Sequence, residues 1–203
     1  MTVPKRLTDR KHEAIVLAAI DEFRQHGFGA TSMDRLAASA GVSKRTVYNH
    51  FPSKDALFSE ILTVLWRRAA EVDLLYQPDR PLREQLLELT WQKMRMLNDA
   101  CFLDLARVLV SETVLSPERG RDMMMRLGDK EEGVTVWLRA ALADGRLKPV
   151  DPVFAAQQLQ GLVKGCAFWP QLTMGEPALS VAEQKQVVEA TVDMFLAYYG
   201  LPE

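Results

Sequence analysis

Apolar side chains recur along this chain at intervals of three and four residues, and no useful length alternates apolar and polar residues as a strand would. The first run, Ile15, Val16, Ala19, Ile20 and Phe23, predicts a helix starting near Thr8 and ending at Gly27. A short second helix follows from Met33, Leu36, Ala37 and Ala40, and the hydroxyl of either Thr31 or Ser32 can cap it. Gly41 comes next, where a chain turning sharply out of a helix needs positive φ. Val42 anchors the turn, and Ser43 can cap a third helix over Lys44 to Phe51, buried along Val47 and Phe51. Pro52 ends it, because a residue preceding proline is pushed away from helical angles.

Ser53 is placed to cap a longer fourth helix, beginning at Lys54 and carrying Leu57, Phe58, Ile61, Leu62, Leu65, Ala69 and Val72 over about five turns. Beyond Pro81 the spacing predicts helices only. The fifth holds Leu82, Leu86, Leu89 and Lys93, and the sixth Phe102, Leu105, Ala106, Leu109 and Val110. The seventh runs from Pro117 to Leu142, with Gly128 and Gly133 leaving open whether it is one helix or two. Asp151 caps the eighth, which ends by Pro170; residues 171–180 read as a loop, and the ninth spans Val181 to Tyr199. The expected fold is all-α with about nine helices. Its head, residues 1–55 with a short N-terminal arm, is joined through the long fourth helix to a helical body, residues 56–203.

Helix, tight glycine turn, helix is the signature of a helix-turn-helix, and its second helix is sized for a major groove. Around that helix lie Lys44, Arg45, Thr46, Tyr48, Asn49 and His50, without a carboxylate. Cations and hydroxyls reach phosphate oxygens, and Arg or Lys can read a guanine edge. The net charge of −2 argues against a nucleic-acid partner, but its distribution changes the picture. Residues 1–55 hold nine Lys/Arg against six Asp/Glu, while the remainder holds 16 against 21. A basic head on an acidic body directs DNA to one end.

This stretch resembles the DNA-binding half of the TetR family of bacterial transcriptional regulators. The matching residues are Gly27-Phe28, Thr31-Ser32-Met33, Leu36-Ala37, Ala40-Gly41-Val42-Ser43, Lys44, Thr46-Val47-Tyr48, His50-Phe51, Ser53-Lys54-Asp55 and Leu57. The resemblance covers about a quarter of the chain and agrees in spacing and residue type through three helices. It implies a ligand-responsive regulator, a repressor acting on a palindromic operator in double-stranded DNA. Base reading is expected from Lys44, Arg45 and Thr46. Phosphate contacts are expected from Tyr48, His50, Thr31, Ser32 and Lys54, with Ser43 and Asn49 on the same surface. Arg45 stands where the family is tolerant and is expected to set this chain's own operator preference.

The family also dimerises through its last two long helices, here the eighth and ninth. Gly161 and Gly165, four apart on the eighth helix behind Gln157, Gln158 and Gln160, suit a close approach by a second helix. A homodimer gives the two half-sites that one short reading helix needs. The body, rich in Met and Trp, is larger than dimerisation requires. It is expected to take a small apolar or aromatic effector against Trp66, Trp91, Met94, Phe102, Leu105, Trp137 and Phe168.

Other classes find little support. His12, His26 and His50 are scattered, and no phosphate loop, catalytic constellation, cofactor motif or metal-ligand spacing appears, so no enzyme, cofactor or metal is expected. Cys101 and Cys166 have no paired spacing, and no apolar stretch is long enough for a membrane span, which predicts a cytoplasmic protein with no membrane partner. The alternative kept beside the regulator is a small-molecule sensor or carrier whose head binds protein rather than DNA.

Overall fold

The helical spacing is realised in every named element of the computed structural model, which describes residues 7–70, 75–118, 121 and 133–201. The elements are α1 Leu7–Ala30, α2 Met33–Ser39, α3 Lys44–His50, α4 Lys54–Ala70, α5 Leu82–Leu97 and α6 Ala100–Leu115. They continue with α7 Gly133–Ala143, α8 Pro152–Ala167, a π-helical turn Pro170–Met174 and α9 Val181–Tyr199. The fold is all-α. Among the described residues the one extended pairing is an isolated antiparallel bridge between Leu147 and Gly200.

Local chemistry sets the boundaries. Gly27, at φ 77° and ψ 158°, breaks α1 and leaves its last residues as a separate turn rather than ending the helix outright. Asp151 accepts a hydrogen bond from the Val153 amide at the start of α8. Ser180 and Glu183 form a reciprocal capping box at the start of α9. The segment expected as a loop from residue 171 begins instead as the π-helical turn, closed by Gly175 at φ 71°. α7 is described from Gly133 onward. Continuity across Met123–Met125 and Gly128, like the N-terminal arm with Lys5 and Arg6, lies outside the described residues.

The chain divides into two compact units. The first joins α1–α3 to α4 as far as Trp66 and to α6 from Asp104 onward. Its core holds Ile15, Phe23, Leu36, Val47, Leu57 and Ile61. Phe23, Phe28 and Phe58 meet there with ring centroids 5.1–6.0 Å apart, which is why the first turns of α4 pack with the head. α6 reaches α1 through two carboxylates: Asp104 accepts from the Arg24 guanidinium at 3.3 Å, and buried Glu112 from the Phe28 amide at 3.3 Å.

The second unit is built from Arg67–Leu103 and the chain from Gly133 on. Its core gathers Leu82, Leu86 and Leu89 of α5 with Trp137 and Leu138 of α7, Ala155 and Leu159 of α8, and Val192 and Phe195 of α9. Trp137 is the largest side chain fully buried there, and its indole N–H donates to Gln85 Oε1 at 3.3 Å. Trp137→Ala leaves a cavity that rigid neighbours cannot fill. It should lower stability by about 3–5 kcal/mol in urea unfolding; a loss under about 1 kcal/mol would mean that the core collapses around the gap.

Candidate nucleic-acid interface

The site begins at the corner between α1 and α2. After the Gly27 break, the Phe28, Gly29 and Thr31 carbonyls all accept from one group, the Lys54 ammonium at the start of α4. The contacts to Gly29 and Thr31 measure 3.3 and 2.9 Å, and the same ammonium lies 4.4 Å from the Phe28 ring centroid. Thr31 is only 2% exposed, and its hydroxyl donates to the Gly27 carbonyl at 2.9 Å and the Glu22 carbonyl at 3.3 Å. Both residues were expected to meet phosphate. In this structure Thr31 faces the corner, and the Lys54 ammonium is hydrogen-bonded to backbone carbonyls.

Ser32, not Thr31, caps α2, its hydroxyl accepting from the Arg35 amide at 3.2 Å. Gly41, at φ 63°, turns the chain while Ala40 and Val42 amides close on Leu36 and Ala37 carbonyls at 2.9 and 3.0 Å. Ser43 caps α3 by accepting from the Thr46 amide at 3.1 Å, and its hydroxyl also meets the Thr46 hydroxyl at 2.8 Å. Val47 is fully buried and Phe51 nearly so, which pins the inner face of α3. Its opposite face therefore presents Lys44, Arg45, Tyr48 and Asn49 to solvent, Tyr48 being 44% exposed. Thr46 and His50 are half-buried; the His50 ring stands edge-on to His12 of α1, with centroids 5.8 Å apart.

The cations of α2 and α3 differ in how they are engaged. Arg35 is held by Glu22 of α1, Nε to Oε2 at 2.6 Å. Lys44 is held by Asp34 of α2, and that hydrogen bond, together with the carboxylate charge, keeps its ammonium above the ordinary lysine range. Arg45 has no ion pair or hydrogen bond among the described residues. The sequence reading missed Asp34 and Glu112. Asp34 was visible as an acid in the first turn of α2; its meeting with Lys44 across the turn was not.

The residues expected to line an effector site are distributed over both units. Phe102 and Phe168 meet with centroids 6.3 Å apart, Met94 is fully buried and Trp91 half-buried, all in the second unit. Trp137 is committed to the core, and Leu105 is buried in the first unit. The Trp66 side chain lies outside the described residues. On the α8–α9 side, Gln158, Gly161, Leu162, Met194, Phe195, Tyr198 and Tyr199 line an open apolar groove of about 470 Å³. Beyond the adjoining backbone of α8 itself, no atom lies within 4 Å of where a Cβ on Gly161 or Gly165 would stand. No described helix is long and apolar enough to cross a membrane.

Two family profiles match. "Bacterial regulatory proteins, tetR family" matches residues 15–61, and "AefR-like transcriptional repressor, C-terminal domain" matches residues 84–201. A solved TetR family transcriptional regulator from Pseudomonas syringae pv. tomato str. DC3000 is 55% identical, with 97% of this chain and 100% of that one covered and a TM-score of 0.86. The Flavonoid-responsive Regulator FrrA is 28% identical over 96% of this chain and 100% of that one, with a TM-score of 0.70. The uncharacterized HTH-type transcriptional regulator YhgD of Bacillus subtilis (strain 168) is 31% identical over 73% of this chain and 77% of that protein.

The corner geometry can be tested without DNA. Lys54→Met keeps the aliphatic stem and removes every hydrogen bond to the three carbonyls. We expect a stability loss of about 1–3 kcal/mol in urea unfolding of the free protein. An unchanged midpoint would return Lys54 to a role on phosphate.

Proposed function

The chain belongs to the TetR family of DNA-binding transcriptional regulators, and from that premise we propose that it is a repressor acting in the cytoplasm as a homodimer on a palindromic operator. A small apolar or aromatic effector would release it. The observation that carries this reading is the outer face of α3, where Arg45, Tyr48 and Asn49 stand exposed on a helix whose inner face is buried at Val47. Seven residues at 1.5 Å each give a reading element about 10 Å long, which fits a major groove about 12 Å wide. Arg45, Lys44 and Thr46 would face base edges; Tyr48, His50, Ser32, Ser43 and Asn49 would hold the backbone on either side.

One such helix spans few base pairs. A second copy would supply the other half-site, about 34–36 Å away. The α8–α9 groove supports this: Met194 and Tyr198 are well exposed, and the glycines of α8 leave room for a facing helix. For the effector, Trp91, Met94, Phe102 and Phe168 of the second unit are the candidate contacts. A relative whose name marks it as flavonoid-responsive accords with a flat aromatic ligand. Because α4 has residues in both units, an effector that prefers one placement of α4 would change the separation of the two heads. It can do so only by its differential affinity for the two states.

The deciding experiment is selection of duplexes from a random pool, followed by affinity against salt. A palindrome should emerge, bound with a log–log salt slope of several units. Failure to enrich any sequence, with only weak low-salt binding, would sink the operator reading and favour a head that binds protein. On the selected duplex, Arg45→Ala should cost about 1–3 kcal/mol and relax preference at one position. Uniform weakening across all sequences would instead place Arg45 on phosphate.

A further inference from the structure

The outer face of α3 has no carboxylate in sequence, yet folding brings one to it. Asp34, in the first turn of α2, lies ten residues before Lys44 and on the other side of the Gly41 turn. Its Oδ1 and Oδ2 stand 2.7 and 3.0 Å from the Lys44 ammonium, so both oxygens engage the cation. Neither side chain is buried: Lys44 is 60% and Asp34 65% exposed. The pair is therefore a surface contact that holds no core together, and it lies on the face that meets DNA. With Arg35 on Glu22 and Lys54 on carbonyls, Arg45 is left as the lone unengaged cation of α2 and α3.

We propose that Asp34 is a specificity-determining residue, which keeps Lys44 paired against loosely held DNA and yields it only to an acceptor that a fully seated α3 brings within hydrogen-bond distance. Sequence-independent binding draws on free cations that displace counterions from phosphates. A lysine already neutralised at contact distance adds little to that attraction, and the carboxylate beside it repels the backbone. On a matching site the balance differs. The groove seats α3, a base-edge acceptor arrives at contact range, and the Lys44 ammonium exchanges its carboxylate contact for a hydrogen bond to that acceptor. Asp34, already largely in water, regains its hydration as the lysine leaves. The penalty thus falls mainly on non-specific complexes. It widens the gap between right and wrong DNA without adding a contact to the right one.

This inference rests on the DNA-binding reading, and its test separates the two. Full-length wild type, Asp34→Asn, Lys44→Met and the double variant are titrated with a random-sequence duplex and with the duplex that wild type selects from a random pool. Asp34→Asn should bind the random duplex about three- to tenfold tighter near 0.15 M salt, with a salt slope steeper by about one per head. Affinity for the selected duplex should change by about twofold or less, so the specificity ratio falls. In the Lys44→Met background the same substitution still removes a carboxylate from this face, so it should tighten both duplexes alike and leave the specificity ratio unchanged. Asp34→Ser, which also removes the carboxylate, should repeat the Asp34→Asn result and exclude a folding artefact. For the single Asp34→Asn variant, equal tightening on both duplexes or no change on either would overturn the proposal, as would a fall in the specificity ratio that persists without Lys44. If wild type selects no sequence, the operator reading fails. The random-duplex arm still decides this inference, because an unchanged affinity there overturns it.

Discussion

A helix that stops leaves its last carbonyls without amide partners, and closing a buried corner over them without donors costs free energy at each. The head faces this constraint where Gly27 breaks α1 and the chain turns into α2 within five residues. One ammonium resolves it. Lys54 is the first residue of α4, and its donors reach the Phe28, Gly29 and Thr31 carbonyls together, while Glu112 of α6 takes the Phe28 amide from the other side. Three helices thus meet at one short stretch of backbone. The direction of α2 follows from this junction, and through the Gly41 turn so does the direction of α3.

Charge on the head is accordingly divided between structure and recognition. Lys54, Arg35 and Lys44 carry the positive sign that makes the N-terminal residues basic, but each is engaged within the folded chain. The net count over residues 1–55 already includes the Glu22 and Asp34 carboxylates, and the carbonyls that hold Lys54 leave its charge in place. These contacts therefore fix where the cations sit rather than how much charge the head carries. The α8–α9 surface shows the complementary pattern. There the Tyr199 hydroxyl donates to Gln158, and an apolar groove lies open beside the α8 glycines.

Local signals were legible in the sequence and tertiary ones were not. Ser32, Ser43, Ser53 and Asp151 could be read as caps because each acts on an amide two or three residues away. Gly41 could be read because its backbone demand is its own. The partners of Thr31 and Lys54 could not be read the same way: each looks like a surface polar group until the fold brings orphan carbonyls to it, for Lys54 from 23 to 26 residues away. Trp137 is similar. Helical spacing fits it equally to a pocket wall or a core, and its burial in the second unit, with Gln85, 52 residues distant, accepting from its indole, could not be read from that spacing. The contacts that tie α6 to α1 were hidden for the same reason, since Asp104 and Glu112 lie 80 and 84 residues from the Arg24 and Phe28 groups they accept from.

The Lys54 junction also bears on how such a protein can change over generations. Because the first residue of α4 is bonded to the end of α1, a displacement of α4 that kept those bonds would carry α1, α2 and α3 as one undeformed body. The shape presented to a half-site would survive the switch, and only its placement would alter. Under the proposed function, what the protein reads and what it responds to would then be separately heritable traits. Substitutions in the second unit could retune the response while the sequence preference proposed for α3 is inherited intact.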